Sequence, residues 1–371
     1  MEYVQERITT LHDLTGALPE APTDRATVVV PMTHRQCENP AAERVLSTLS
    51  TVDPGSILVA LRSPADRVAA VADWLEGVAP GHTLLWCNAP DVEALLADHG
   101  LDGPTGKGHD VWLALGVAAT DAACIAVHDA DAASYGPGHV PRLLAPLARG
   151  KRFSKGYYAR VEDGRLYGRL CRLLYEPLVE ALADRHDAEI LAYLGAFRYA
   201  LAGEFACTAD FARKLRAQRA WGLEVGTLGD AYHLAGFEHT AQVDLGIHRH
   251  DHRAVEGPGG LSTMSHEVAA ALFRAVEAGG VTPEYGTLPA RYRDRASRFV
   301  DAYADDAAFN DLTYDPDAER EQVAAYAEAI GPPGEDDRLP AWDETALSAE
   351  AVARAATDAV SRLRGESAPA E

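Results

Sequence analysis

Ala123-Cys124-Ile125-Ala126-Val127-His128-Asp129-Ala130-Asp131 runs from five small or β-branched apolar residues straight into two carboxylates spaced i, i+2. A short apolar run of this kind reads as a strand buried on both faces of a parallel sheet. Three earlier segments have the same texture: Thr27–Val30 closed by Pro31, Ser56–Ala60 and Thr83–Cys87. Between the four lie helical patterns near residues 41–50, 65–78, 90–99 and 109–119. Strands alternating with helices predict βαβ units, hence an α/β fold with a mostly parallel central sheet. Polar residues just after such strands sit at the carboxyl edge, where open α/β folds bind ligands. Asp129 and Asp131 are therefore the first candidates for chemistry.

Outward from this core the pattern is less regular. Residues 1–25 read as a short amphipathic helix and a Pro-containing connector (Pro19, Pro22). Beyond 150, a basic cluster (Lys151, Arg152, Lys155) leads into a helical pattern over roughly 165–184. A second helix ends near 235, a short strand covers Gln242–Ile247, and Met264, Val268, Leu272 and Val276 define one face of a helix over 264–278. Pro332-Pro333-Gly334-Glu335-Asp336-Asp337 marks a break. The Ala- and acid-rich stretch after it reads as a loosely attached helix or an unstructured tail.

Of the 371 residues, 47% are hydrophobic and 24% charged, which excludes a disordered or fibrous chain. The net charge of −22 disfavours nucleic acid and anionic membrane surfaces as partners. The basic set comprises 30 Arg and only 4 Lys. An acidic surface almost free of lysine is read as adaptation to a very salty cytosol, where screening removes the self-repulsion. Five scattered cysteines, never in C-x-x-C spacing, argue against a disulfide framework or a structural zinc site. Met1–Glu6 has no signal-peptide character and there is no run of about 20 apolar residues. The expectation is a cytoplasmic protein.

Four groups of residues carry candidate chemistry. In Asp129-x-Asp131 one carboxylate can bond a sugar hydroxyl while the other binds a divalent cation, Mg²⁺ or Mn²⁺, that bridges two phosphates. Gly106-Lys107-Gly108 opens a helix, so the glycines would let backbone N–H groups approach an anion and Lys107 would add a charge. His248, His250 and His252 alternate in an extended segment and could share one face. An imidazole there could complete a metal site begun by Asp131, or help Arg253 bind a phosphorylated substrate. Glu204 and Glu224, each near a glycine in an apolar stretch, could bind sugar hydroxyls or position an acceptor.

Taken in order, these motifs resemble the glucosyl-3-phosphoglycerate synthases, retaining GT-A glycosyltransferases grouped with the mannosyl-3-phosphoglycerate synthases. The resemblance rests on Gly106-Lys107-Gly108, Asp129-x-Asp131, Lys155-Gly156-Tyr157-Tyr158, Gly164-Arg165, Leu201-Ala202-Gly203-Glu204, Gly222-Leu223-Glu224-Val225-Gly226, Gln242-Val243-Asp244-Leu245-Gly246, His250 and Met264-Ser265, over roughly residues 25–280. It implies a nucleotide-sugar donor (UDP- or GDP-hexose), with Lys107 and Asp129 on the nucleotide and Pro31 and Ser63 at the donor end. It implies a Mg²⁺ or Mn²⁺ ion held by Asp131 and His250. Gly164, Arg165, Lys155, His252 and Glu204 would face a phosphorylated or carboxylate acceptor, Glu224 the sugar or acceptor hydroxyls, and the backbone at Leu201 the reactive face of the sugar. The corresponding division is 1–25 an N-terminal helix and connector, 26–150 the nucleotide-sugar domain, 151–255 the acceptor and metal part, 256–330 a helical extension and 331–371 an acidic tail. A homodimer is kept open as the assembly.

The chain departs from the family in places. Met32-Thr33-His34-Arg35 stands where an Asn-Glu pair usually follows the first strand's Pro. Leu61-Arg62-Ser63 replaces an acidic residue and serines, Tyr167 replaces a Thr, and His252 an Asn. A mannosyl transferase, another GT-A sugar transferase and a non-catalytic sugar-nucleotide-binding protein remain the alternative readings.

Overall fold

The β-branched and small apolar runs assemble as the alternation requires. The structure, a computed structural model, describes residues 5–249 and 260–365. In chain order the elements are β1 (Thr9–Leu11), β2 (Ala26–Thr33), α1 (Pro40–Val52), β3 (Ser56–Arg62), α2 (Ala65–Val78), β4 (Thr83–Trp86), α3 (Pro90–Asp98), α4 (Lys107–Ala118), β5 (Cys124–Val127), α5 (His139–Ala148), β6 (Phe153–Glu162) and β7 (Arg165–Leu166). There follow α6 (Glu176–Ala183), α7 (Glu189–Leu194), β8 (Phe205–Thr208), α8 (Ala209–Lys214), α9 (Leu223–Leu234), β9 (Thr240–His248), α10 (Gly260–Ala278), α11 (Leu288–Phe309), α12 (Pro316–Tyr326) and α13 (Ala349–Arg364).

The sheet order is β1-β9-β6-β8-β5-β2-β3-β4, with β7 paired to β6. All neighbours along that order run parallel except at β8, which is antiparallel to both β5 and β6. Alternation along each strand sends side chains to two cores. Val29, Leu58 and Ile125 pack with Trp112 on one face, while Val28, Val30 and Val59 pack with Leu46 and Leu143 on the other. The mostly parallel α/β sheet expected from sequence is the sheet observed.

Three expectations are corrected. Among the described residues the N-terminal segment forms a strand in place of the expected amphipathic helix: β1 pairs with β9, and the Gln5 amide satisfies both the N–H and the carbonyl of Thr10 at 3.0 Å, so no helical bond is needed. The 165–184 pattern starts later than expected. Gly164 and Gly168 have φ of 69° and 79°, so the chain makes the β6–β7 hairpin first, then a π-helical turn over Leu170–Tyr175 that runs into α6. The acidic stretch is also not loose over its described residues, 331–365. Trp342 stacks on Trp112 at 4.3 Å between ring centroids. Its indole N–H donates to the Trp112 carbonyl at 2.8 Å, and the Trp112 indole N–H donates to the Pro340 carbonyl at 2.7 Å. Gly116 makes room for this, since a Cβ there would lie 2.0 Å from the Trp342 ring. Beyond it α13 buries Val352, Ala356 and Ala359 against α2, α3, α4 and β4. Among the described residues no helix is long and apolar enough to cross a membrane.

Candidate active site

At the carboxyl ends of β2, β3 and β5 opens a cavity of about 370 Å³. The antiparallel β8 is preceded by the Leu201–Glu204 turn, which places that turn beside the end of β5. Of the sequence candidates, Pro31, Lys107, Asp129, Asp131, Leu201 and Glu224 line the cavity. Residues from five separate stretches thus meet around one space.

Lys107 is the hub. Its ammonium lies 2.7 Å from Asp129 Oδ1 and 3.1 Å from Glu224 Oε1, with all three side chains 17–28% exposed. Burial opposes the lysine charge, but the two carboxylates outweigh it and hold the group protonated well above the ordinary lysine range. Burial pushes Glu224 the other way, and Lys107 with Lys155 overcomes it, keeping the Glu224 carboxyl below its usual value. Just before Asp129, His128 is fully buried and burial drives it down to about 3, so it stays neutral. Asp129 is crowded: a Cβ on Gly203 would lie 2.1 Å from Asp129 Oδ2, so any larger residue would displace the carboxylate.

The glycines around Lys107 have a different task from the one expected of them. A Cβ at Gly108 would lie 1.8 Å from the Gln218 carbonyl, and the His109 N–H donates to the Arg219 carbonyl at 2.8 Å. They let residues 218–220 pack on the start of α4, and that packing carries Glu224 toward Lys107.

Other candidates do not line the cavity. Ser63 is buried; its N–H donates to Asn88 Oδ1 at 2.9 Å and its carbonyl accepts from the Trp86 indole, because strand alternation turns it away while Arg62 faces in. Lys155 sits inside β6 at 1% exposure, and Glu204 is fully buried just before β8. Gly164 and Arg165 lie on the exposed β6–β7 hairpin, whose far end at Gly168 reaches the cavity wall. His248 is buried and stacked on Tyr158 at 4.1 Å. His250, His252 and Arg253 lie outside the described residues. The chain leading to them is anchored beside Asp131, for the Ala133 N–H donates to the Arg249 carbonyl at 2.8 Å and the Arg249 N–H to Ser134 Oγ at 3.1 Å.

Sequence reasoning missed several lining residues. Arg62 pairs with buried Asp110 at 2.9 Å near Thr33 and Gln36, and Arg160 and Tyr199 line the side toward the hairpin. Each is a single residue with no motif around it. Arg160 stands in β6 between Lys155 and Arg165, in no motif of its own.

No family model matches the chain. The glucosyl-3-phosphoglycerate synthase of Methanococcoides burtonii is 32% identical, over 94% of this chain and 94% of that protein. The chain belongs to the glucosyl-3-phosphoglycerate synthases. The synthase of Persephonella marina is 33% identical over 82% of this chain and 79% of its own. Among solved structures, the Mycobacterium tuberculosis glucosyl-3-phosphoglycerate synthase with Mn²⁺, UDP-glucose and phosphoglyceric acid superposes with a TM-score of 0.56 at 24% identity, over 75% of this chain and 89% of that one. The same enzyme with Mg²⁺ and UDP gives 0.57 at 24% identity, over 75% and 88%. The likeness shows the shared fold. As a glucosyl-3-phosphoglycerate synthase the chain is an enzyme, a glycosyltransferase.

Proposed function

We propose that the protein transfers glucose, with retention and with the help of Mg²⁺ or Mn²⁺, from a nucleoside-diphosphate donor to 3-phosphoglycerate. The observation that carries this is the Lys107–Asp129–Glu224 cluster sharing one cavity with Asp131. The M. burtonii relative bears the name of this activity, and the M. tuberculosis structures hold Mn²⁺ or Mg²⁺ with UDP and phosphoglyceric acid.

The residues present suit such a metal. Asp131 offers hard oxygen at the cavity, and the chain bearing His250 is tied to the Asp131 loop through Arg249. When bound, the ion would neutralise charge growing on the departing diphosphate. Lys107, held protonated by its two carboxylates, faces the same charge and stabilises it without rearranging. Asp129 stands where a ribose hydroxyl would bond. Glu224, kept ionised by the two lysines, accepts bonds from sugar or acceptor hydroxyls. The backbone at Leu201 lines the side on which the sugar reacts. Front-face attack needs no enzymatic nucleophile, and the carboxylates nearest the sugar are already engaged by Lys107. On the acceptor side, Arg165 with His252 and Arg253 would supply the phosphate pocket that a chain of −22 net charge requires.

A matrix of UDP- and GDP-glucose and -mannose against 3-phosphoglycerate and glycerate, followed by mass detection in molar KCl, tests the reading. The expected product is glucosyl-3-phosphoglycerate, lost in EDTA and in Asp131→Ala. Donor binding without any transfer would leave a binding protein in its place. The acidic, lysine-poor surface fits a salty cytosol, so the melting temperature should rise with KCl; an unchanged value between low and multimolar salt would remove that part.

A further inference from the structure

Lys155 is one of only four lysines, and it lies in the middle of the sheet. In β6 it is paired with Phe205 of β8 on one side and Gln242 of β9 on the other. At 1% exposure it ranks with Trp112 and Phe153 among the largest fully buried side chains, and it does not line the cavity. Its ammonium donates to the Ala202 carbonyl. Ala202 is itself buried, flanked by Leu201 at the cavity wall and by Gly203, which presses on the Asp129 carboxylate.

A buried ammonium is a costly way to satisfy one carbonyl. An apolar side chain of similar length would pack there without desolvating a charge. The charged groups around it are Glu224 in α9, Glu204 before β8, Lys107 in α4 and Asp129 after β5. Burial is the largest influence and lowers the lysine; the carboxylates raise it, Lys107 lowers it, and the result is about 8. The proton is therefore held near neutral pH and given up just above it.

Resting on the transferase reading, we propose that Lys155 is a positioning residue: from beneath the site it holds the Leu201–Gly203 turn, and through Gly203 the Asp129 carboxylate, in the geometry that transfer needs, while touching neither substrate. Its expected effect is thus on turnover and on the order of the turn, not on acceptor affinity.

The test uses the full chain in high KCl, as wild type, Lys155→Met and Lys155→Arg. In Lys155→Met, kcat should fall about 100-fold, the loss expected of a misplaced reacting group. The acceptor KM should stay within about threefold. In wild type, kcat should fall along an alkaline limb near pH 8; Lys155→Arg, which keeps its charge, should recover turnover and lack the limb. Hydrogen exchange at residues 200–204 without substrates should quicken in Lys155→Met, and in wild type, after correction for intrinsic rates, between pH 7 and 9. A raised acceptor KM with kcat kept would make Lys155 a substrate contact and overturn the proposal. Unchanged exchange at 200–204, in the variant or across that pH range, would also overturn it. The wild-type pH series decides if Lys155→Met does not fold. A wild type that transfers no sugar defeats the transferase reading separately, because the exchange measurement needs no turnover.

Discussion

Two lysines border one site, one on its wall and one beneath its floor, and their charges are set in opposite directions. On the wall formed by α4, Lys107 has two carboxylates within 3.1 Å and is held protonated far into the alkaline range. On the floor formed by β6, Lys155 has a carbonyl as its hydrogen-bond partner and carboxylates only farther off, and burial brings it down to about 8. Burial opposes the charge of both lysines, so burial alone does not decide. Direct contact with carboxylates does. A lysine in that contact is a fixed charge suited to a leaving diphosphate, whereas one without it becomes a group whose proton can be lost near working pH.

The sharpest way to break this contrast is Lys107→Met. It strands Asp129 and Glu224 without their cation and removes the charge that faces the diphosphate. We expect kcat/KM to drop about 1,000-fold. Steady-state kinetics beside Lys155→Met would erase the distinction between wall and floor if both variants lost the same amount in the same parameter. Glu224→Gln acts on both lysines. It should cost about 100-fold in kcat, as loss of a transition-state partner does. It should also move the alkaline limb below pH 8, because Glu224 is a carboxylate that raises Lys155; a limb that stays in place would assign it to another group.

Arg165 lies on neither wall, and its variant measures what lies outside the contrast. Arg165→Ala should raise the 3-phosphoglycerate KM about tenfold with donor binding unchanged, since only an anionic acceptor loses a partner. Slightly lower stability with an unaltered KM would make it a hairpin residue alone. A further test is thermodynamic. Lys155 is lowered in the folded state from 10.5 to about 8, so between those values the unfolded chain binds a proton that the folded chain has released. Stability must then rise with pH across that window, by up to about 1.4 kcal/mol per pH unit relative to Lys155→Met. Chemical denaturation of the pair at pH 7, 8.5 and 10 measures it, and parallel curves would refute the lowered value.

Much of this wall was legible in the sequence. The apolar runs of β2, β3 and β5 are buried on both faces and carry no competing signal, and Lys107, Asp129 and Glu224 sit in motifs whose glycines are steric necessities. The floor was harder to read. β6 opens Phe153-Ser154-Lys155-Gly156, where a charge and a glycine interrupt the apolar pattern, and β8 is only four residues long. The lysine that interrupts the apolar pattern is itself buried, at 1% exposure. The C-terminal stretch misled through composition: alanines and acids suggest a detached tail, yet Val352, Ala356, Ala359 and Val360 make a single apolar face. Arg62, Asp110 and Arg160 carry no local pattern, and only the fold brings them to the cavity.

The Trp342 clamp has a consequence for how the chain is made. Trp112 and Gly116 belong to the helix that presents Lys107, and the ring that covers them is encoded more than two hundred residues downstream. During synthesis the nucleotide half therefore emerges with one flank bare, and its last layer arrives only after the acceptor half has been made. Contacts of such long sequence separation slow folding and leave apolar surface waiting. The early half is better regarded as a client for chaperones until the final helix docks than as a unit that matures first.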